Sequence, residues 1–166
     1  LAALQWIDEY GDHDGDGFVE YARASDNGLI QQGWKDSNDS VHHADGTLAT
    51  APVTICEVQG YVYAAKHGAA QMAVALGDEV LARKLREQAE TLKTRFQEAF
   101  WCEEIGLYAL ALDGQKRQCK VASSNAGHAL WSGIAAPEHA SRMAPRLLEP
   151  DMFSGWGLRT LSSAEV

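Results

Sequence analysis

Two adjoining stretches of opposite character constrain this chain more than anything else in it. From 53 to 76 the sequence is almost free of charge: after Glu57 the only formally charged residue is Lys66. Apolar or small residues at 58, 61, 62, 65, 69, 72, 73 and 76 mark one helical face, and Tyr63, Ala64, Ala70, Val74 and Ala75 make the others apolar too. Such a helix has to be covered on several sides. Gly77-Asp78 then stops one helix and starts another, glycine at the C-terminal turn and aspartate as N-cap, with Glu79 in the first turn. From 79 to about 100 the pattern reverses. Leu81, Leu85, Ala89, Leu92, Phe96 and Phe100 form one stripe, and Arg83, Lys84, Arg86, Glu87, Glu90, Lys93, Arg95 and Glu98 occupy the rest. An inner helix joined by a tight turn to an outer, amphipathic one is an α-hairpin.

The arrangement recurs. Residues 102–120 read as a loop, with Gly106-Leu107-Tyr108-Ala109-Leu110 in a small β-ribbon. Residues 124–134 form a second uncharged, small-residue helix capped by Ser123 or Ser124, and Pro137 opens a charged helix over 138–148 with Met143, Leu147 and Leu148 on its dry side. A helix ending near residue 10 precedes all of this, and residues 22–52 are a long irregular loop, a length that inside compact domains is commonly functional. The expected class is therefore all-α with a minor β-ribbon, built from inner/outer helical hairpins as part of an (α/α)6 toroid. Loops that precede inner helices emerge at one end of such a ring and frame a cleft. Trp6, Trp101 and Trp131 lie on helical patterns and read as core. Trp34 and Trp156, flanked by glycine in loops, read as pocket walls.

Composition narrows the partners. Fourteen Lys and Arg against 23 Asp and Glu give a formal net charge of −9, which argues against nucleic acid and anionic membrane surfaces. Three cysteines, Cys56, Cys102 and Cys119, share no metal-ligand spacing and read as free thiols of a reducing, cytoplasmic setting. His42 and His43 have no acids or cysteines at zinc spacing. Residues 12–20, Asp-His-Asp-Gly-Asp-Gly-Phe-Val-Glu, imitate a calcium loop, but the position that needs a bidentate acid is Arg23. An acidic turn feeding a short extended segment is the preferred reading. A calcium-binding module on 12–23 and a non-catalytic helical scaffold stand as alternatives. No cofactor and no metal are expected.

The 31–40 stretch, Gln-Gln-Gly-Trp-Lys-Asp-Ser-Asn-Asp-Ser, gathers a flat aromatic, two carboxylates, amides and hydroxyls. Such a set suits a sugar, whose CH faces stack on indole while its hydroxyls pair with polar groups. Together with Gly-Trp-Lys-Asp-Ser at 33–37, the Pro52, Glu57, Gln59-Gly60-Tyr61 entry to the inner helix, Ser-Asn-Ala-Gly-His at 124–128 and Phe-Ser-Gly-Trp-Gly-Leu-Arg-Thr-Leu at 153–161, it resembles the six-hairpin glycosidases. The amylo-α-1,6-glucosidase, or glycogen-debranching, type is the nearest in pattern, with mannosylglycerate hydrolase, trehalase and processing glucosidases as relatives. The resemblance runs over essentially the whole chain.

It implies an inverting hydrolase of α-glucosidic bonds in which a protonated acid serves the leaving oxygen and a carboxylate base activates water. Asp36 matches the general acid. Gln32, Trp34, Asp39, Glu57, Gln59, Asn125, His128, Trp156 and Arg159 are the expected substrate-binding residues, for an oligosaccharide or glucoside. No residue matches the base, since Glu165 stands too near the end of the sequence. A ring of twelve helices of ~12 residues with connections needs roughly 300 residues, so residues 1–166 are read as about half of one catalytic domain. Its open apolar flank is expected to favour self-association, and the piece alone to lack hydrolase activity.

Overall fold

The structure, a computed structural model, describes residues 1–35 and 37–165; Asp36 and Val166 lie outside the described residues. Helix α1 (Ala2–Tyr10) leads through the acidic turn and the long loop to strand β1 (Thr54–Ile55) and the inner helix α2 (Cys56–Ala75). The outer helix α3 (Glu79–Phe100) follows, then β2 (Trp101–Cys102), β3 (Leu107–Tyr108) and β4 (Ala111–Leu112). A second pair, α4 (Asn125–Ser132) and α5 (Pro137–Leu147), completes the order. This is an all-α partial toroid of two helical hairpins carrying two small antiparallel ribbons, β1 with β4 and β2 with β3.

The α2–α3 hairpin forms as its sequence dictates. Gly77 takes φ +79° at the turn, and the Asp78 carboxylate accepts the Leu81 N–H at 3.0 Å as N-cap. The α3 stripe is buried at Leu85, Ala89, Leu92, Phe96 and Phe100, while Leu81 is only partly covered and Ala82 takes its place inside. Phe96 stacks on Phe100 with ring centroids 4.7 Å apart, and Phe18 meets Phe100 edge-on at 5.4 Å. This core joins α2, α3, α4, α5 and the β2–β3 ribbon through Tyr108, Ile134, Met143 and Met152. A second cluster, Val41, Val53, Ile55, Leu110, Ala111, Cys119 and Val121, sits beneath the long loop and fixes it to the β1–β4 ribbon.

Several expectations are corrected here. The inner helix starts at Cys56 rather than 53, because Thr54 and Ile55 pair with Leu112 and Ala111, a partner more than fifty residues away. The extended segment after the acidic turn is reduced to one bridge, Tyr21 with Val53. Ser124 holds the N-cap position of α4 but makes no side-chain cap bond. Trp6 (61% exposed) and Trp131 (77% exposed) are on the surface, not in the core; Trp101 does pack against it. Leu148 is exposed, leaving Met143 and Leu147 as the buried face of α5.

Among the described residues, α2 packs against α3 and α4, with smaller contacts to α1 and β1. Lys66, buried in its middle, reaches Asp8 of α1 and Gln88 of α3, which satisfies its charge. Beside α4 the backbone of α2 comes very close: a Cβ on Gly60 would lie 2.6 Å from the Ser132 Oγ and 3.5 Å from the His128 carbonyl oxygen. On the remaining side Tyr61, Met72 and Leu76 face solvent.

Candidate active site

The first turns of the two inner helices meet at one rim. Glu57 and Tyr61, one turn apart on α2, face Asn125 and His128 at the start of α4, and the absent side chain of Gly60 permits the approach. The Tyr61 hydroxyl and His128 Nδ1 share a hydrogen bond of 2.7 Å. Trp34 comes in from the long loop, its ring 6.0 Å from the imidazole. Tyr61 lies edge-on to His128 at 5.7 Å and to Trp131 at 6.3 Å. Leu158, from the 153–161 loop, closes an open cleft of about 710 Å³ lined with Tyr61, Ala64, Ser124, Gly127, His128 and Trp131.

The loops are tied together as well as adjacent. Lys35 Nζ donates to the Thr160 carbonyl oxygen, while Ser124 N–H donates to that same oxygen at 3.2 Å. Ser123 bridges Leu161. Lys35 Nζ also lies 5.4 Å above the Trp34 ring, a cation–π contact. Burial pulls the Lys35 pKa down, partly countered by the charge of Glu57.

Glu57 is the most unusual group in the cluster. Its side chain is buried, and Oε1 has no hydrogen-bond partner among the described residues; a Cβ on Gly33 would stand 3.6 Å from it. Desolvation pushes its pKa up, opposed by the neighbouring Asn125 amide and by His128. Ser124 Oγ, at the cleft wall, is likewise buried without a partner among the described residues.

The expected site residues divide. Trp34, Glu57, Asn125 and His128 are brought together. Asp39 lies beside them, in a separate polar recess of about 520 Å³ with Lys35, Ser40, His42 and Thr160. Gln32 is exposed and turns back on its own loop, donating to the Ala22 and Leu29 carbonyls at 3.4 Å. Gln59 belongs elsewhere: its amide donates to Val19 and Ile55 and accepts from Val19 N–H, bracing the acidic turn over a cavity between α1, α2 and α3. Trp156 is fully exposed at its loop tip, and Arg159 is exposed with its N–H on Met152. Neither lines the cleft. Asp36 lies outside the described residues. Glu165 accepts the Ala122 N–H at 2.8 Å, a structural task.

Reading by sequence left Tyr61, Lys35, Trp131 and Leu158 out of the site. Helical spacing carries the signal for two of them: Tyr61 stands four residues after Glu57 and Trp131 three after His128, so each shares a face with an expected substrate-binding residue.

Against known proteins, residues 2–165 match the model of the mannosylglycerate hydrolase MGH1-like glycoside hydrolase domain. The chain belongs to that family. It is thus a glycoside hydrolase domain of the kind the resemblance placed among the relatives, and the debranching type is not singled out. No curated protein sequence matches it. Among solved structures, this MGH1-like chain is similar to a GH78 family rhamnosidase of Bacillus sp. GL1, at TM-score 0.65 and 18% identity over 89% of its length and 14% of that chain. It is similar to the neutral trehalase of Saccharomyces cerevisiae, at TM-score 0.63 and 17% identity over 76% of its length and 24% of that chain. A sialidase gives TM-score 0.64 and 17% identity over 85% and 13%. At such identities the likeness is one of fold. The MGH1-like chain spans less than a quarter of the length of each of these structures.

Proposed function

We propose that this chain supplies the acid-bearing side and the aromatic subsite of an inverting glycoside hydrolase acting on α-glucosidic bonds, amylo-α-1,6-linked ones among them. The observation that supports this best is one open cleft lined by Tyr61, His128 and Trp131, with the Trp34 ring 6.0 Å from the His128 imidazole at its edge. Flat rings with one polar edge accept the CH face of a pyranose and leave its hydroxyls to the rim. Asp36, next to Lys35 in sequence, is the general acid: protonated, it gives its proton to the leaving glycosidic oxygen as the bond to the anomeric carbon breaks. Water adds from the opposite face of the sugar, losing its proton to a carboxylate base that lies outside these 166 residues. Buried Glu57 stands against the Gly33 backbone of the loop that carries Trp34, and burial raises its pKa.

The substrate is an oligosaccharide or glucoside, and the chain by itself binds sugar without turning it over. Intrinsic tryptophan fluorescence, titrated with maltooligosaccharides and with isomaltose, tests the subsite. Saturable quenching that is weakened in Trp34→Ala is expected; a signal blind to that substitution would defeat the reading. Release of glucose by the isolated chain, lost in Asp36→Asn, would instead refute its inactivity.

A further inference from the structure

The acidic turn that imitates a calcium loop is already filled by a positive charge of the chain's own. Asp12 organises the turn, its carboxylate accepting N–H groups of Gly15 at 2.7 Å, Gly17 at 2.8 Å and Asp16 at 3.1 Å. Asp12, Asp14 and Glu20 each bring an oxygen within 4.8 Å of the others. Carboxylates so close repel one another unless a cation lies between them. Lys116 Nζ meets two of these three, 2.8 Å from Asp14 and 2.9 Å from Glu20, and Asp16 beside them at 2.5 Å, while Asp12 is engaged by the backbone N–H groups of the turn. An ammonium has three N–H donors, and here three carboxylates receive them.

The lysine is delivered by a turn built for it. Asp113 Oδ1 accepts the N–H groups of Gln115 and Arg117, both at 2.9 Å, and Gly114 N–H donates to the Thr50 carbonyl oxygen. Lys116 itself sits at φ +60°, the left-handed region that side chains rarely enter. A strained conformation persists where the surroundings over-determine it. Partial burial works against the charge on Lys116, yet the hydrogen bonds of Asp14, Asp16 and Glu20 outweigh it and push its pKa up. On the other side Lys116 holds the Asp14 pKa down.

We propose that the Lys116 ammonium is the resident cation of this turn, occupying the place a divalent metal would otherwise take, so that the loop is ordered without metal. The consequence reaches the cleft. Glu20, with its side chain wholly buried, also accepts from Thr54 Oγ1 at 3.4 Å, and the next residue, Tyr21, bridges Val53. Lys116 thereby pins the start of the loop that carries Trp34.

Calorimetric titration of the whole chain with CaCl2, and melting curves in EDTA and in millimolar calcium, test this. The wild type is expected to give no binding heat at micromolar affinity and the same Tm in both. Lys116→Ala is expected to melt roughly 5 °C or more lower in EDTA, and to regain at least half of that loss in calcium as the vacated cradle takes the ion. Adding Asp14→Asn should abolish the recovery. Calcium uptake by the wild type with a rise in Tm would overturn the proposal, as would a Lys116→Ala protein that is undisturbed or unrescued. Should that variant not fold, the wild-type titration decides alone.

Discussion

Tyr61 Oη and His128 Nδ1 lie 2.7 Å apart, joining two inner helices sixty-seven residues apart in sequence at the edge of the aromatic cleft. That bond fixes the imidazole against which Trp34 leans. If the cleft is a sugar subsite, Trp34→Ala and Tyr61→Phe should separate stacking from positioning. Loss of the indole removes an aromatic contact worth about 0.5–1.5 kcal/mol, a roughly 2- to 12-fold weaker affinity. Removal of the hydroxyl should cost less and let the imidazole turn. Fluorescence titration of both variants with the same oligosaccharide checks the order; equal affinity in all three proteins would remove the cleft from consideration.

Gly60 sets the distance between α2 and α4. A leucine there has no room beside Ser132 and the His128 carbonyl, so the helices must separate or the side chain must strain. Overpacking of this kind costs about 1–3 kcal/mol, and it should break the Tyr61–His128 bond in the same stroke. Urea unfolding of Gly60→Leu is expected to show the loss, with sugar binding weakened alongside it. Gly60→Ala should be milder, because the nearest atom is the end of the Ser132 side chain, which can rotate away. Wild-type stability in the leucine variant would mean the helices are not held this closely.

How far the sequence could be read depended on contrast. The α2–α3 hairpin was legible because one helix is uncharged and its neighbour charged on one side, with Gly77-Asp78 between them. Asp78 does cap α3. Where contrast failed, so did the reading. α2 and α4 are apolar on most faces, so periodicity could not tell which face is covered, and Trp131 was placed inside although it stands in solvent. Gln59 and Glu57 are two residues apart on one helix and both buried, yet one braces the acidic turn and the other faces the Gly33 loop. Only the three-dimensional path of the loops separates them. The long loop looked irregular because its partners are remote: Val41, Val53 and Ile55 pack under residues 110–121. Lys116 was invisible as a partner of the acidic turn for the same reason.

The uncovered side of α2 predicts behaviour in solution. Tyr61, Met72, Leu76 and Trp131 are exposed apolar side chains on neighbouring elements. A surface of that kind tends to be covered by another surface. Sedimentation velocity at increasing concentration is expected to show reversible association of the chain, and Met72→Glu with Leu76→Lys should shift it toward monomer without lowering Tm. A monomer at all concentrations would show that these side chains are tolerated in water.

Two carboxyl groups should shape the dependence of stability on pH in opposite directions. Glu57 has its pKa raised above 4.5 by burial, so the folded state holds its proton longer than the unfolded chain does. Its contribution is complete below 4.5 and is lost as pH climbs through the folded pKa. Asp151 has its pKa lowered to about 2 by the Arg146 guanidinium and the Ser162 hydroxyl, so its contribution is present above 3.8 and disappears as pH falls through about 2. Denaturation midpoints measured from acid to neutral pH separate the two. Glu57→Gln should abolish part of the decline above pH 4.5 while leaving the acid limb alone, and Asp151→Asn should flatten the acid limb while leaving the decline. If the Glu57→Gln curve ran parallel to the wild type across the whole range, the carboxyl would be ionising as freely in the fold as out of it, and its burial against the Gly33 loop would have to be abandoned.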